Sequence, residues 1–332
     1  MKRLIKYAAA GLAAAVTIVF SGCAGSKPTA QSGDIKVVTV NFPPYDFVKQ
    51  ITGGDIVPEM LLKGGQDAHT YEPTAKDIIK INEADIFICT GGESDAWVDR
   101  IAGSLDSSVK IIKMMDCIGG SLIEEEHEDH EHIHEYDDGD IEYDEHVWTS
   151  PKNAAEISRV IASELASADP DNAEKYENGF KAYSAELNAL SDELQSAAEA
   201  LDKPLIFGDR FPFAYMARDY GISYYAAFAG CSSDTEPSAA KMTELIEKAK
   251  ETGAKVIYHI EFSTEKVAAA IAEAVGADIR LMHSCHTLSD EDIANGETYI
   301  SVMRKNIEAM RGAGALTTKA HLRNLRARLR TR

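Results

Sequence analysis

Along residues 35–311, short apolar, β-branched runs alternate with stretches whose apolar positions return every third or fourth residue. The runs 35–40 (IKVVTV), 56–62, 84–90 (ADIFICT) and 109–114 read as strands. Their near-continuous hydrophobicity suits a parallel sheet covered on both faces. Between them, 45–52, 74–82 and 96–104 carry helical spacing, and Asn41-Phe42-Pro43-Pro44 reads as a break ahead of the first helix. Thr74, with Asp77 three residues on, marks a helix start. The pattern recurs in the second half. Strands at 205–208, 224–228, 256–260 and 279–283 interleave with helices at 213–220, 238–252, 265–275 and 298–311, the first three ended by Gly221, Gly253 and Gly276. Such alternation predicts an α/β protein of two lobes, each a parallel sheet with helices on both faces.

A different pattern separates the halves. Residues 151–166 form an amphipathic helix, and Ala168-Asp169-Pro170 starts another, with Asp169 as cap and Pro170 in the first position. From there to Leu201 the chain has no further Pro and a single Gly, Gly179. Tyr176, Phe180, Tyr183, Leu187, Leu190, Leu194 and Ala197 recur at three- and four-residue steps. The spacing predicts one helix of roughly thirty residues, about 45 Å long, acting as a rigid connector.

The N-terminus bears on where the protein works. Lys2, Arg3 and Lys6 precede an apolar run at 7–20 that is too short and too rich in Ala and Gly for a membrane span, so it reads as a signal-peptide core. Phe20-Ser21-Gly22-Cys23 follows. Small residues directly before a cysteine resemble a lipoprotein processing site, in which Cys23 takes the lipid. The expected plan is a leader at 1–22, a tether at 23–34, a first lobe at 35–168, a linker helix at 169–202, a second lobe at 203–316 and a basic stretch at 317–332 that has no functional reading.

Charge narrows the partners. Lys and Arg number 34 against 54 Asp and Glu, a net charge of −20, and loss of the leader's three cations makes it more negative still. Such acidity argues against nucleic acid and against a polybasic membrane-binding surface, and it is compatible with attracting cations. Beyond Cys23, none of Cys89, Cys117, Cys231 and Cys285 forms a CxxC, so a zinc ribbon is unsupported. In an exported protein Cys231 and Cys285 are the pair expected to be oxidised, with Cys89 and Cys117 staying as buried thiols.

Candidate chemistry is concentrated in histidines. Between Glu124 and Glu145, His127, His130, His132 and His134 stand among thirteen carboxylates with no Lys or Arg. Acidic runs poor in apolar residues are usually solvated and disordered, while a His-rich tract is a compositional sign of metal binding. The expectation combines the two: a flexible loop that captures metal weakly. His69 lies in the Gly-rich loop GGQDAHTYEP after a strand, where α/β sheets place ligands. His146, in EHVWTSPKN, directly follows the acidic run and precedes a helix.

The motifs VVTVNFPPYDFV, DAHTYEPTAKDI, NEADIFICTGGESDAWVD, HVWTSPKNA, ADPDNAEKYENGFKAYSAEL and GETYISVMRKNIEAM resemble those of the zinc- and manganese-binding lipoproteins of bacterial metal ABC importers, the ZnuA/TroA-like family. The resemblance runs from residue 35 to about residue 316. It implies two (β/α) lobes joined by a long rigid helix, with one metal ion in the cleft between them, and His69 and His146 match the two histidines of the first lobe. Neutral imidazole suits Zn2+, which takes about four N, O or S ligands.

The second lobe departs from the family. In FGDRFPFAYMARDYGI, Arg210 occupies the position of a family ligand, and arginine stays protonated with no acceptor to offer. The last ligand position aligns near LMHSCH, with His283. The resemblance therefore implies His69, His146 and His283, completed by water or a carboxylate. Glu261 matches a family glutamate near the cleft, open between touching the metal and pairing with Arg210 from outside the ligand shell. His286 and Asp209 are the fallback ligands, and His259 reads as structural. The function implied is a monomeric, non-enzymatic lipoprotein, anchored outside the cytoplasm through Cys23, that captures Zn2+ and docks onto an ABC permease. Mn2+ as cargo and a surface adhesin are the alternatives. A zinc hydrolase fits least, because HExxH and GxSxG are both missing.

Overall fold

The computed structural model describes residues 35–66, 68–125, 142–232 and 236–311. The leader, Cys23, the four histidines of the acidic run and the basic stretch lie outside those residues. The first sheet holds β1 (Val37–Thr39), β2 (Glu59–Met60), β3 (Ile86–Cys89) and β4 (Lys110–Lys113) in the order β2-β1-β3-β4, all parallel. The second holds β5 (Leu205–Arg210), β6 (Tyr224–Phe228), β7 (Val256–His259) and β8 (Asp278–Leu281) in the order β6-β5-β7-β8, again parallel. The two lobes thus repeat one topology. In each, the strand order reverses beside the lobe's first strand, the switch point at which open α/β sheets bind ligands.

Helices α1 (Phe42–Thr52), α2 (Ala75–Asn82), α3 (Ala96–Ala102) and α4 (Met114–Cys117) belong to the first lobe, and α5 (Pro151–Ala168) and α6 (Ala173–Glu199) connect the two. The second lobe adds α7 (Ala214–Tyr220), α8 (Ala239–Thr252), α9 (Lys266–Val275), α10 (Asp290–Ala294) and α11 (Tyr299–Arg311). Thr74 and Asp77 form the reciprocal cap that opens α2. Local readings differ from the structure at three places. Phe42-Pro43-Pro44 is the first turn of α1 instead of a break, because N–H groups of a first turn have no partner within the helix and proline sacrifices nothing there. The strand expected at 56–62 pairs only over Glu59–Met60. The connector begins with a 3₁₀ turn, Pro170–Asn172, before the 27 residues of α6, about 40 Å of helix. Asp169 organises that start, accepting from Asn172 Nδ2 at 2.6 Å and from the Tyr176 hydroxyl at 2.8 Å.

Tyr183, Leu187, Leu190 and Leu194 of α6 are buried in a core that also holds Phe42, Phe47 and Trp148 on one side and Phe207, Tyr215 and Tyr258 on the other. Two smaller cores back the sheets, one around Val38, Phe87 and Trp97 and one around Ile206, Ile257 and Ala268. At Gly179 the connector touches α1 so closely that a Cβ would lie 1.8 Å from the Ile51 carbonyl oxygen, so only glycine fits. Further ties cross between the lobes. The Tyr299 amide of α11 donates to Asp46 Oδ2 of α1 at 2.9 Å, and the Tyr299 hydroxyl donates to the Trp148 carbonyl at 2.7 Å. Among the described residues no helix is long and apolar enough to cross a membrane.

Candidate metal centre

His69 sits on a 3₁₀ turn (Ala68–Thr70) beyond β2, and His286 in the loop beyond β8. His146 immediately precedes the 3₁₀ turn Val147–Thr149, which leads through Ser150 to Pro151, the first residue of α5. The His146 carbonyl accepts from both the amide and the hydroxyl of Thr149, which fixes its backbone. The three imidazoles form a near-equilateral group, with ring centres 5.4 Å apart for His69 and His146 and 5.5 Å for each of them with His286. One ligand nitrogen from each lies within 4.8 Å of the other two. Imidazole binds zinc at roughly 2.0–2.1 Å, so one ion can reach all three after small side-chain adjustments.

Each ring has its own electrostatic setting. Asp144 Oδ1 takes the His146 amide proton at 2.8 Å and faces Nδ1 at 3.2 Å. Burial alone would lower the affinity of His146 for a proton, but the Asp144 charge and hydrogen bond, with Cys231, outweigh it and push its pKa well above the usual value. With Nδ1 occupied, Nε2 is the nitrogen left for a metal, the carboxylate–histidine arrangement common behind zinc ligands. His69 Nδ1 lies 3.7 Å from Glu145 Oε2. Glu145 is held in turn by the Ser94 amide at 2.7 Å and the Ser94 hydroxyl. Burial raises the Glu145 pKa even so.

His286 is half-buried with its ring centre 5.0 Å from that of Trp148, and the indole Nε1 ties down the same loop by donating to the Ser284 carbonyl at 2.8 Å. Desolvation, then the neighbouring His146, His69 and Arg210, depress its pKa far below the ordinary histidine value. It is therefore neutral, with a lone pair to offer. The Phe42 amide donates to the His286 carbonyl at 3.1 Å, pinning this loop to the first lobe. A cavity of about 140 Å³ opens beside the histidines, lined also by Gly65, Arg210, Glu261 and Phe262.

The structure brings His69 and His146 together but does not bring His283 to them. His286, the fallback, stands there instead. His283 Nδ1 accepts the Cys285 amide at 3.0 Å and lies 3.5 Å from Glu261 Oε1, and its amide and carbonyl are both bonded to the Asn306 side chain. The cause is a turn. Cys285 has a φ of 63°, an uncommon conformation for a residue with a Cβ, and the chain reverses there between the two histidines. Only the two histidines of LMHSCH signalled His286 in the sequence, and spacing did not choose between them. Glu261 accepts from the Ser284 amide and hydroxyl and pairs with His283, so its described bonds do not go to Arg210. Arg210 lines the cavity, with Nη1 donating to the Ser232 carbonyl at 3.4 Å. Asp209 is taken up by the amides of Arg210 and Ile260, and His259 Nδ1 faces the Ile260 carbonyl.

The disulfide expectation is corrected. All four described cysteines are free, with Cys285 inside the shared core and Cys231 at the cleft, its Sγ 4.0 Å from His146 Nδ1. Membership of one half of the chain said nothing about where the Cβ vectors point.

Comparison with known proteins is consistent with this arrangement. A family model described as the zinc-uptake complex component A, periplasmic, matches residues 37–313. The high-affinity zinc uptake system protein ZnuA of Bacillus subtilis (strain 168) is 34% identical over 309 residues, covering 90% of this chain and 94% of its own length. The zinc-binding lipoprotein AdcA of Streptococcus pneumoniae (TIGR4) is 32% identical over 304 residues, 90% of this chain. The chain spans only 59% of that relative's length. Among solved structures, the Zn(II)-bound ZnuA-like domain of Streptococcus pneumoniae AdcA matches with a TM-score of 0.69 at 31% identity, over 86% of this chain and 100% of that one. The laminin-binding protein Lmb of Streptococcus agalactiae, described as bifunctional with adhesin and metal transporting activity, matches with a TM-score of 0.68 at 26% identity, over 84% and 99%.

Proposed function

This chain belongs to the zinc-uptake component A family, and from that premise we propose that it captures Zn2+ outside the cytoplasm and delivers it to the permease of an ABC importer. The observation that carries the reading is the convergence of His69, His146 and His286. Three imidazoles favour zinc over manganese, which prefers harder oxygen ligands, and the relatives above are named for zinc. The ion is cargo, and no reaction is assigned to these residues. A fourth position falls to water or a carboxylate: Glu145 Oε2 lies 3.7 Å from His69 Nδ1, and Glu261, which lines the same cavity, is bonded to Ser284 and paired with His283. His127, His130, His132 and His134 in this reading collect ions weakly, a capacity that falls below about pH 6 as imidazoles protonate. The lipid on Cys23 holds the monomer at the outer face of the membrane.

The test is a metal titration of the mature protein with zinc and manganese in competition. One tightly held Zn2+ that excess Mn2+ fails to displace is expected, with His69→Ala losing that tight site. Unchanged zinc affinity in His69→Ala sinks the site, and ready displacement by Mn2+ sinks the choice of cargo.

A further inference from the structure

We propose that Cys231 is a metal ligand of this cleft, forming with His69 and Glu145 a second coordination set that shares His69 with the three-histidine set. The proposal rests on the cleft holding a metal ion, as argued above. The thiol sulfur, one carboxylate oxygen of Glu145 and a ring nitrogen of His69 all lie within 4.8 Å of one another. The sulfur is also 4.0 Å from His146 Nδ1, on the side of that ring that faces Asp144, so the second set lies beside the first and does not coincide with it.

The backbone is built to put the thiol there. Glu125 Oε1 accepts the Cys231 amide at 3.0 Å. At the preceding residue, Gly230, a Cβ would lie 2.9 Å from Asp144 Oδ2 and 3.3 Å from His146 Nδ1. The loop beyond β6 therefore descends directly onto the Asp144–His146 pair, and a side chain at residue 230 would hold it off. His69 and Glu145 come from the first lobe and Cys231 from the second, so this set, like the three-histidine set, spans the cleft.

The chemistry is that of a borderline or soft divalent cation. Thiolate binds zinc at roughly 2.3 Å, imidazole and carboxylate at roughly 2.0–2.2 Å, and three such ligands leave one position open on a tetrahedral ion. When the metal–sulfur bond forms, the thiol proton leaves to solvent and no electrons are transferred. Because both sets use His69, one ion occupies one set at a time. The set also answers the substitution in the second lobe. Arg210 brings a positive charge to the cavity beside His286, and three neutral imidazoles leave the charge of the ion uncompensated. A thiolate with the Glu145 carboxylate neutralises it, and sulfur biases the site against Mn2+.

Cobalt(II) titration tests this, since Co2+ shows visible d–d bands in tetrahedral sites and a near-ultraviolet charge-transfer band only when thiolate is bound. One equivalent should give both signals in the parent protein. Cys231→Ser should lose the charge-transfer band and keep the d–d bands, while Cys117→Ala, whose thiol is bonded to the Lys113 carbonyl, should keep both. The d–d bands without charge transfer in the parent, or charge transfer surviving in Cys231→Ser, overturns the Cys231 assignment and leaves the histidine cleft standing. Absence of both signals in the parent overturns it together with the metal-binding reading.

Discussion

His146 and His286 lie 5.5 Å apart, ring centre to ring centre, and their environments push them in opposite directions. His146 is bonded to Asp144 and favours the proton. His286 packs on Trp148 with Arg210 nearby, its ring bonded to no carboxylate among the described residues, and it rejects the proton. The first lobe thus presents ligands braced by negative charge, and the second an imidazole already stripped of its proton. The two rings therefore differ in their affinity for a proton, raised at His146 and lowered at His286. The three histidines come from both lobes, and the carboxylates that face them, Asp144 and Glu145, come from the first.

The strongest test of that asymmetry compares two substitutions. Zinc sites worth roughly 10–16 kcal/mol over four ligands assign about 4 kcal/mol, or about a thousandfold in Kd, to one well-braced ligand. His146→Ala is expected to show that loss and His286→Ala a smaller one of about a hundredfold in Kd, measured by competition with a chelator of known affinity. Equal losses would break the comparison.

A second test concerns the bracing itself. Asp95 Oδ2 accepts the amides of Thr90 at 2.7 Å and Gly91 at 3.1 Å, fixing the loop from which Ser94 holds Glu145. Burial pushes the Asp95 pKa from 3.8 up to about 6. The folded chain then binds this proton more tightly than the unfolded one, so the group's stabilising contribution is complete below about pH 3.8 and lost as pH rises through about 6, in all about 3 kcal/mol. Denaturant unfolding between pH 4 and 7 should show this decline in the parent and a flatter profile in Asp95→Asn. An unchanged slope would remove Asp95 from the account.

The smallest effect is expected on the second lobe's side. Trp148→Phe keeps an aromatic face for His286 and removes the Nε1 bond to the Ser284 carbonyl, at a cost of about 1 kcal/mol. Thermal unfolding should register it, with zinc affinity falling less than about tenfold. A loss as large as that of His146→Ala would mean that the indole, and not the carboxylates, sets the grip of the cleft.

What could be read from the sequence follows from the range of the interactions concerned. Strand–helix alternation and the run from Tyr176 to Ala197 are local patterns, and the two lobes and their connector followed from them. His69 and His146 were distinguishable because a loop after a strand and a position before a helix are marked by Gly-rich and N-terminal helix signals. The Phe42 turn misled because proline reads as a breaker wherever it stands, although its position within a helix decides its cost. The choice between His283 and His286 depends on a left-handed residue at Cys285, in a turn whose His283 backbone is held by the Asn306 side chain, a contact that no short window contains. The placement of Cys231 depends on Gly230 meeting Asp144 across the cleft, a contact between residues far apart in the chain.

The core shared by both lobes sets the terms on which an ion is held. Because Tyr183, Leu187 and their neighbours pack against both sheets, the entropy of bringing the cleft walls together is lost when the chain folds and not when the ion arrives. Binding strength then reflects dehydration and ligand chemistry with little penalty for ordering. The same continuity joins the cleft to the cooperative unit, so an ion that prefers the folded state protects both lobes at once, by mass action.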